Sequence, residues 1–176
     1  EHVEVVTDAV GHETRKVTPR VEARSQPAQP NQTRITTDLS LDERRKGLLW
    51  FPLYNVDFAG TWSYTHEGVP RDLRLSLRFP DASGSYDGFR FVVNGVDQAR
   101  HVLATHDDGG SGISYVTRVA PGDVVTLEAG YRSRGLGTWS YLPTSGVGQV
   151  EDFALTMTTD FAAIDFPGMT MSPSAR

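Results

Sequence analysis

The five histidines, His2, His12, His66, His101 and His106, are the natural candidates for metal or acid–base chemistry. No two of them stand in an HxH or HExxH spacing, the patterns that place paired imidazoles on one ion. They read as exposed and uncommitted, with His66 in a turn and His101 and His106 flanking a strand. Asp57, Glu128, Asp152 and Asp165 fall in or beside strands. Glycoside hydrolysis needs two such carboxylates about 5–10 Å apart across a cleft. Nothing in the spacing singles out a pair, so no catalytic residue is assigned and the chain reads as a non-enzyme. "HDDGGSG" at 106–112 and "DASGSYDG" at 81–88 have the composition of calcium loops but not the EF-hand ligand order. They read as hairpin tips. A structural calcium there is the one cofactor the composition leaves open; otherwise none is expected.

A second kind of chemistry is stacking. The word "GTWSY" occurs twice, at 60–64 and 137–141. In the first copy Trp62 and Tyr64 share parity with Val56 and Phe58, so a strand would turn all four toward a core. In the second, Trp139 and Tyr141 share one face while Leu136 and Leu142 take the other. Read as a strand, this copy leaves apolar side chains near the surface. Trp139 and Tyr141 are therefore the candidate ligand-binding residues, as a flat platform for sugar rings.

The elements that would carry these residues alternate with period two. "RDLRLSLRF" sets Leu73, Leu75, Leu77 and Phe79 against Asp72, Arg74, Ser76 and Arg78. "GFRFVVNG", "DVVTLEAGY" and "EDFALTMTTDF" repeat the pattern, and turn words such as "VNGV" and "APGD" separate them. The expected fold is all-β: an antiparallel β-sandwich, Ig-like or jelly-roll-like, over residues 34–176. Residues 1–33 read as an N-terminal juxtamembrane or linker segment. Its first 17 residues are extended or partly helical, and 18–33 carry three prolines and little apolar bulk.

Net charge is −5 and basic residues are scattered, so nucleic acid is not an expected partner. The tight basic run "ERRKG" at 43–47 adjoins acids and reads as a solvated turn. The absence of cysteine excludes thiolate metal sites and disulfides. No apolar run reaches membrane-spanning length. A start at glutamate rather than methionine reads as a processed or excised fragment.

Three stretches, taken in order, resemble a known family: "DERRKGLLWFPLYNVDFAGTW", "YRSRGLGTWSYLPTSGVGQVEDFALTMTTDF" and "IDFPGMTMSP". Together they are similar to the extracytoplasmic domain of CreD-like inner-membrane proteins, associated with cell-envelope integrity. The resemblance spans about residues 42–173. It implies a non-catalytic domain on the periplasmic face of the inner membrane, anchored in that membrane, with membrane or envelope proteins as partners. It brings no catalytic residues. The alternative expectation is a carbohydrate-binding module using Trp139 and Tyr141.

Overall fold

A computed structural model describes residues 2–7, 13–18, 27–81, 84–107, 110–143, 150–162, 164 and 173–174. Every regular element in it is a strand. β1 (His2–Thr7) and β2 (Glu13–Thr18) form an antiparallel pair, so these two stretches of the amino-terminal segment are extended.

The main sheet has six strands in the order β11-β3-β4-β10-β6-β7. They are β3 (Gln32–Lys46), β4 (Leu49–Thr65), β6 (Ser85–Val93), β7 (Val96–Asp97), β10 (Val124–Leu136) and β11 (Phe153–Thr159). A second sheet, β5-β9-β8, combines β5 (Arg71–Arg78), β8 (Leu103–Asp107) and β9 (Gly110–Val119). The core between them joins Phe91, Val93 and Leu127 of the first sheet to Leu77, Ile113 and Val119 of the second. The rings of Phe91 and Tyr115 meet across the layers at 6.2 Å. This is a β-sandwich, as alternation requires: each strand has one apolar face, and only a second layer removes it from water.

One pairing departs from an all-antiparallel sheet. β11 lies parallel to β3, with Phe153 opposite Thr33 and Thr159 opposite Leu39. Alternation alone cannot separate the two directions, because side-chain period is two in both.

The registers assemble the inner face of the main sheet into rows. Ile35, Gly60, Ala129 and Phe91 are successive cross-strand neighbours, and Thr37, Phe58 and Tyr131 form the next row. The turn "VNGV" carries Asn94 and Gly95, both at positive φ (50° and 77°), the backbone of a tight hairpin.

Strand lengths are unequal, and this positions the candidate site. β10 follows β4 only as far as Tyr54, and β11 follows β3 only as far as Leu39. Beyond them, β3 and β4 continue as a two-stranded ribbon of five further pairs, Asp42 opposite Leu53 to Lys46 opposite Leu49. At about 3.3 Å per residue, this ribbon projects about 17 Å past its neighbours.

Candidate functional site

The two GTWSY copies meet in one aromatic cluster. Phe58 lies at its centre, stacked on Tyr131 at 4.8 Å and within 6.5 Å of the rings of Trp62, Trp139 and Tyr141. Trp62 Nε1 donates to Tyr141 Oη at 3.1 Å, so the tryptophan of one copy is held by the tyrosine of the other. Trp139 Nε1 donates to Tyr131 Oη at 3.3 Å. Tyr141 also stacks on Phe153 at 6.2 Å.

The second copy is not a strand. β10 ends at Leu136, and 137–143 run as irregular chain across the inner face of the main sheet. Trp139 and Tyr141 are half-buried there, with their polar atoms turned to core partners. β10 leaves the sheet at Leu136 opposite Tyr54, and no described strand pairs with 137–143, so this stretch has a strand's parity without a strand's ladder. Burial raises the Tyr141 hydroxyl pKa and pushes that of Tyr131 up to about 12, against the smaller opposing effect of their indole hydrogen bonds.

The two glycines of the repeated word differ in the same way. A Cβ on Gly60 would run into the Trp62 indole and lie 2.8 Å from Ile35 Cδ1, so the missing side chain is what lets the ring fold flat over the strand. A Cβ on Gly137 would meet nothing within 4 Å.

His66 departs from the expectation of an exposed, uncommitted imidazole: it is 1% exposed. Its Nε2 lies 2.8 Å from the Val69 carbonyl, which can only accept, so Nε2 carries the proton. Nδ1 then accepts from the Tyr64 hydroxyl at 3.1 Å. Its backbone N–H donates to Asp123 O and its carbonyl accepts from Gly122 N, tying the end of β4 to the β9–β10 turn. This histidine is a structural fastener. His106 lies inside β8 rather than beside it.

The carboxylates named from the sequence do not assemble into one site. Glu128 is bound to Arg90 at 2.6 Å, on the outer face of the main sheet. Asp152 accepts from Gln32 Nε2 at 2.7 Å and from Arg34 Nη2 at 2.6 Å, and these bonds hold its carboxyl below the usual range. It fixes the entry of β11 against β3, with its own φ at 38°. Asp165 lies outside the described residues. Asp57 lines an open groove of about 570 Å³ with Asp38, Asp160, Arg132 and Arg134. Asp38 and Asp57 are direct cross-strand neighbours, an unfavourable like-charge pairing, and Arg132 stands opposite Asp57 on its other side. Arg132 Nε itself lies 3.2 Å from Asp87. Among the described residues no group of three or more His, Cys, Asp or Glu is placed to hold a metal ion. The 81–88 loop is described except at 82–83, and the 106–112 hairpin except at its tip, 108–109.

The exposed aromatics are elsewhere, on the projecting ribbon. Leu48 is 90% exposed, Leu49 65%, Trp50 61% and Phe51 43%. Gly47, at φ 66°, and Leu48 make the two-residue turn between Lys46 and Leu49. Antiparallel register puts Arg45 and Trp50 on one face, and Arg44, Phe51 and Leu49 on the other. The Arg45 guanidinium lies 6.0 Å from the centre of the Trp50 ring, and Arg45 Nε donates to Gly47 O at 2.8 Å. Arg44 pairs with Asp42 at 3.1 Å. Reading "ERRKG" as a solvated turn located this hairpin but missed its character. The signal was present: "GLLWF" runs four consecutive large apolar residues from within the turn into β4, where a solvated hairpin would alternate.

No protein-family model and no curated protein matches the chain. Among solved structures, that of a candidate nutrient binding protein from Legionella pneumophila aligns with a TM-score of 0.33 and 14% identity. The match covers 61% of this chain and 41% of that one, so this chain spans less than half of the length of that protein. A likeness at that level carries no argument about function.

Proposed function

We propose that this chain is a non-catalytic, extracytoplasmic β-sandwich domain of a membrane-anchored envelope protein of the CreD-like kind, working by contact with envelope components at the periplasmic face of the inner membrane. The observation that carries the reading is the ribbon. The stretch "DERRKGLLWFPLYN", part of the family resemblance, continues past the ends of β10 and β11 and exposes Leu48, Leu49, Trp50 and Phe51. An exposed apolar surface of this size is the mark of an interaction site rather than of a stable free surface. The sugar-binding alternative would need Trp139 and Tyr141 open, and their half-buried, hydrogen-bonded rings do not favour it.

The test is topological. Alkaline phosphatase, which folds only outside the cytoplasm, is fused within this region of the full-length coding sequence. The expected result is an active reporter that sediments with inner membranes. An inactive reporter, or one recovered in the soluble fraction, refutes the proposal.

A further inference from the structure

We infer that the tip of the β3–β4 ribbon, residues 44–51, is a membrane-interface anchor that inserts shallowly among anionic phospholipids. The first argument is the distribution of apolar surface. Trp50 lies on one face of the ribbon, Leu49 and Phe51 on the other, and Leu48 caps the turn. A protein groove covers one face of a ribbon; a lipid interface surrounds a tip on all sides.

The second argument is charge. The whole chain carries −5, which repels an anionic surface at long range. The last three residues before the turn are nevertheless Arg44, Arg45 and Lys46, each placed directly opposite Phe51, Trp50 or Leu49. Cations level with the first apolar residues suit a headgroup layer in which apolar rings sit just below phosphates, and tryptophan favours that same layer. Asp42 and Glu43 stand next along β3 toward the ribbon's base, and a phosphate at Arg44 would replace the Asp42 carboxylate now 3.1 Å from its guanidinium.

Depth is limited by the backbone. A two-stranded ribbon leaves ladder groups unpaired on both outer edges, and hydrocarbon cannot satisfy them. Only the turn and its first pairs can enter, so the element lies at the interface and does not span. No described helix is long and apolar enough to cross a membrane, a separate matter from this contact. The inference deepens the envelope reading, but vesicle binding is measured on this chain alone. Its failure would leave the topology result standing, and a cytoplasmic reporter would leave the vesicle result standing.

The experiment incubates the 176-residue chain with vesicles of phosphatidylethanolamine and phosphatidylglycerol, or of phosphatidylcholine alone, and reads co-sedimentation and tryptophan emission. Binding to the phosphatidylglycerol vesicles with a blue shift is expected. Trp50→Phe should retain binding and lose the shift, because Trp62 and Trp139 are packed in the core. Leu48→Ser with Leu49→Ser should lower partitioning at least about tenfold, from the apolar area no longer buried. Arg44→Gln with Arg45→Gln should abolish the preference for phosphatidylglycerol. All these side chains are exposed, so circular dichroism should be unchanged in each variant. No binding to either vesicle overturns the inference, as does binding that the leucine substitutions leave intact. Tip-dependent self-association in the absence of lipid, undiminished by vesicles, also overturns it and assigns the tip to a second copy of the chain.

Discussion

Alanine in place of the first residue of each GTWSY word should have opposite effects. Neither Gly60 nor Gly137 sits at positive φ, so the backbone accepts alanine at both positions. Removing glycine reduces the freedom of the unfolded chain and by itself stabilises by roughly 0.4–1 kcal/mol. At Gly137 nothing lies within 4 Å of the new Cβ, so that gain should appear undiminished. At Gly60 the new Cβ occupies space held by the Trp62 indole and crowds Ile35 Cδ1 at 2.8 Å. Ile35 is 1% exposed and walled in by the same row, so the indole must move. Overpacking of this kind costs about 1–3 kcal/mol. A rotated indole also gives up its bond to Tyr141 Oη, a further ~1 kcal/mol. Net destabilisation of roughly 1–3 kcal/mol is expected for Gly60→Ala. Urea denaturation followed by circular dichroism measures both variants, with near-ultraviolet signals reporting the packing of the indole. Equal effects of the two substitutions would refute the claim that the first glycine exists to seat Trp62.

Three further outcomes follow from the same geometry. Tyr141→Phe leaves the Trp62 N–H without its acceptor and should cost about 1–2 kcal/mol, and a double-mutant cycle with Trp62→Phe should return a coupling of at least ~0.5 kcal/mol by urea denaturation. Tyr131 is neutral in the fold up to about pH 12, so the stability it contributes is whole below the ordinary tyrosine pKa and is lost as pH rises from there to about 12. Absorbance at 295 nm should show its ionisation delayed until the chain unfolds, and Tyr131→Phe should flatten that alkaline loss, worth roughly 2–3 kcal/mol. Asp152 has the opposite sign: its lowered pKa gives stability present above the ordinary carboxylate range and lost as pH falls through the folded value. Asp152→Asn should therefore lower the urea midpoint at pH 7 and change it little in strong acid.

Alternation made the strands legible because each has its own apolar face. Leu73, Leu75 and Leu77, and Val125, Leu127, Ala129 and Tyr131, point to the core as their parity requires. The turn at Asn94 and Gly95 was legible for a local reason too, since positive φ favours those two residue types. What stayed hidden depends on partners. His66 does follow the strand, but its burial was hidden because the backbone groups that hold it, Asp123 O and Gly122 N, come from the distant β9–β10 turn. Trp139 and Tyr141 kept a strand's parity without a strand's hydrogen bonds, and parity does not report whether a neighbouring strand pairs with it. The parallel direction of β11 was hidden for the same reason. The ribbon's projection depends on where β10 and β11 stop, which is a property of neighbours and not of residues 41–54.

The division between buried and open aromatics bears most directly on what the domain does. Trp62 and Trp139 spend both their rings and their N–H groups on internal partners, so the repeated word belongs to folding. Trp50, Phe51, Leu48 and Leu49 do nothing comparable for the sandwich, because the ribbon that bears them has left its neighbouring strands behind. A bare two-stranded ribbon is marginal in water, and apolar side chains at its tip add hydration cost without adding core. Threonine or lysine at those positions would serve the fold equally well. No described residue buries the tip, and the inferred contact with an anionic lipid surface would both cover its apolar side chains and face the cations set directly opposite them.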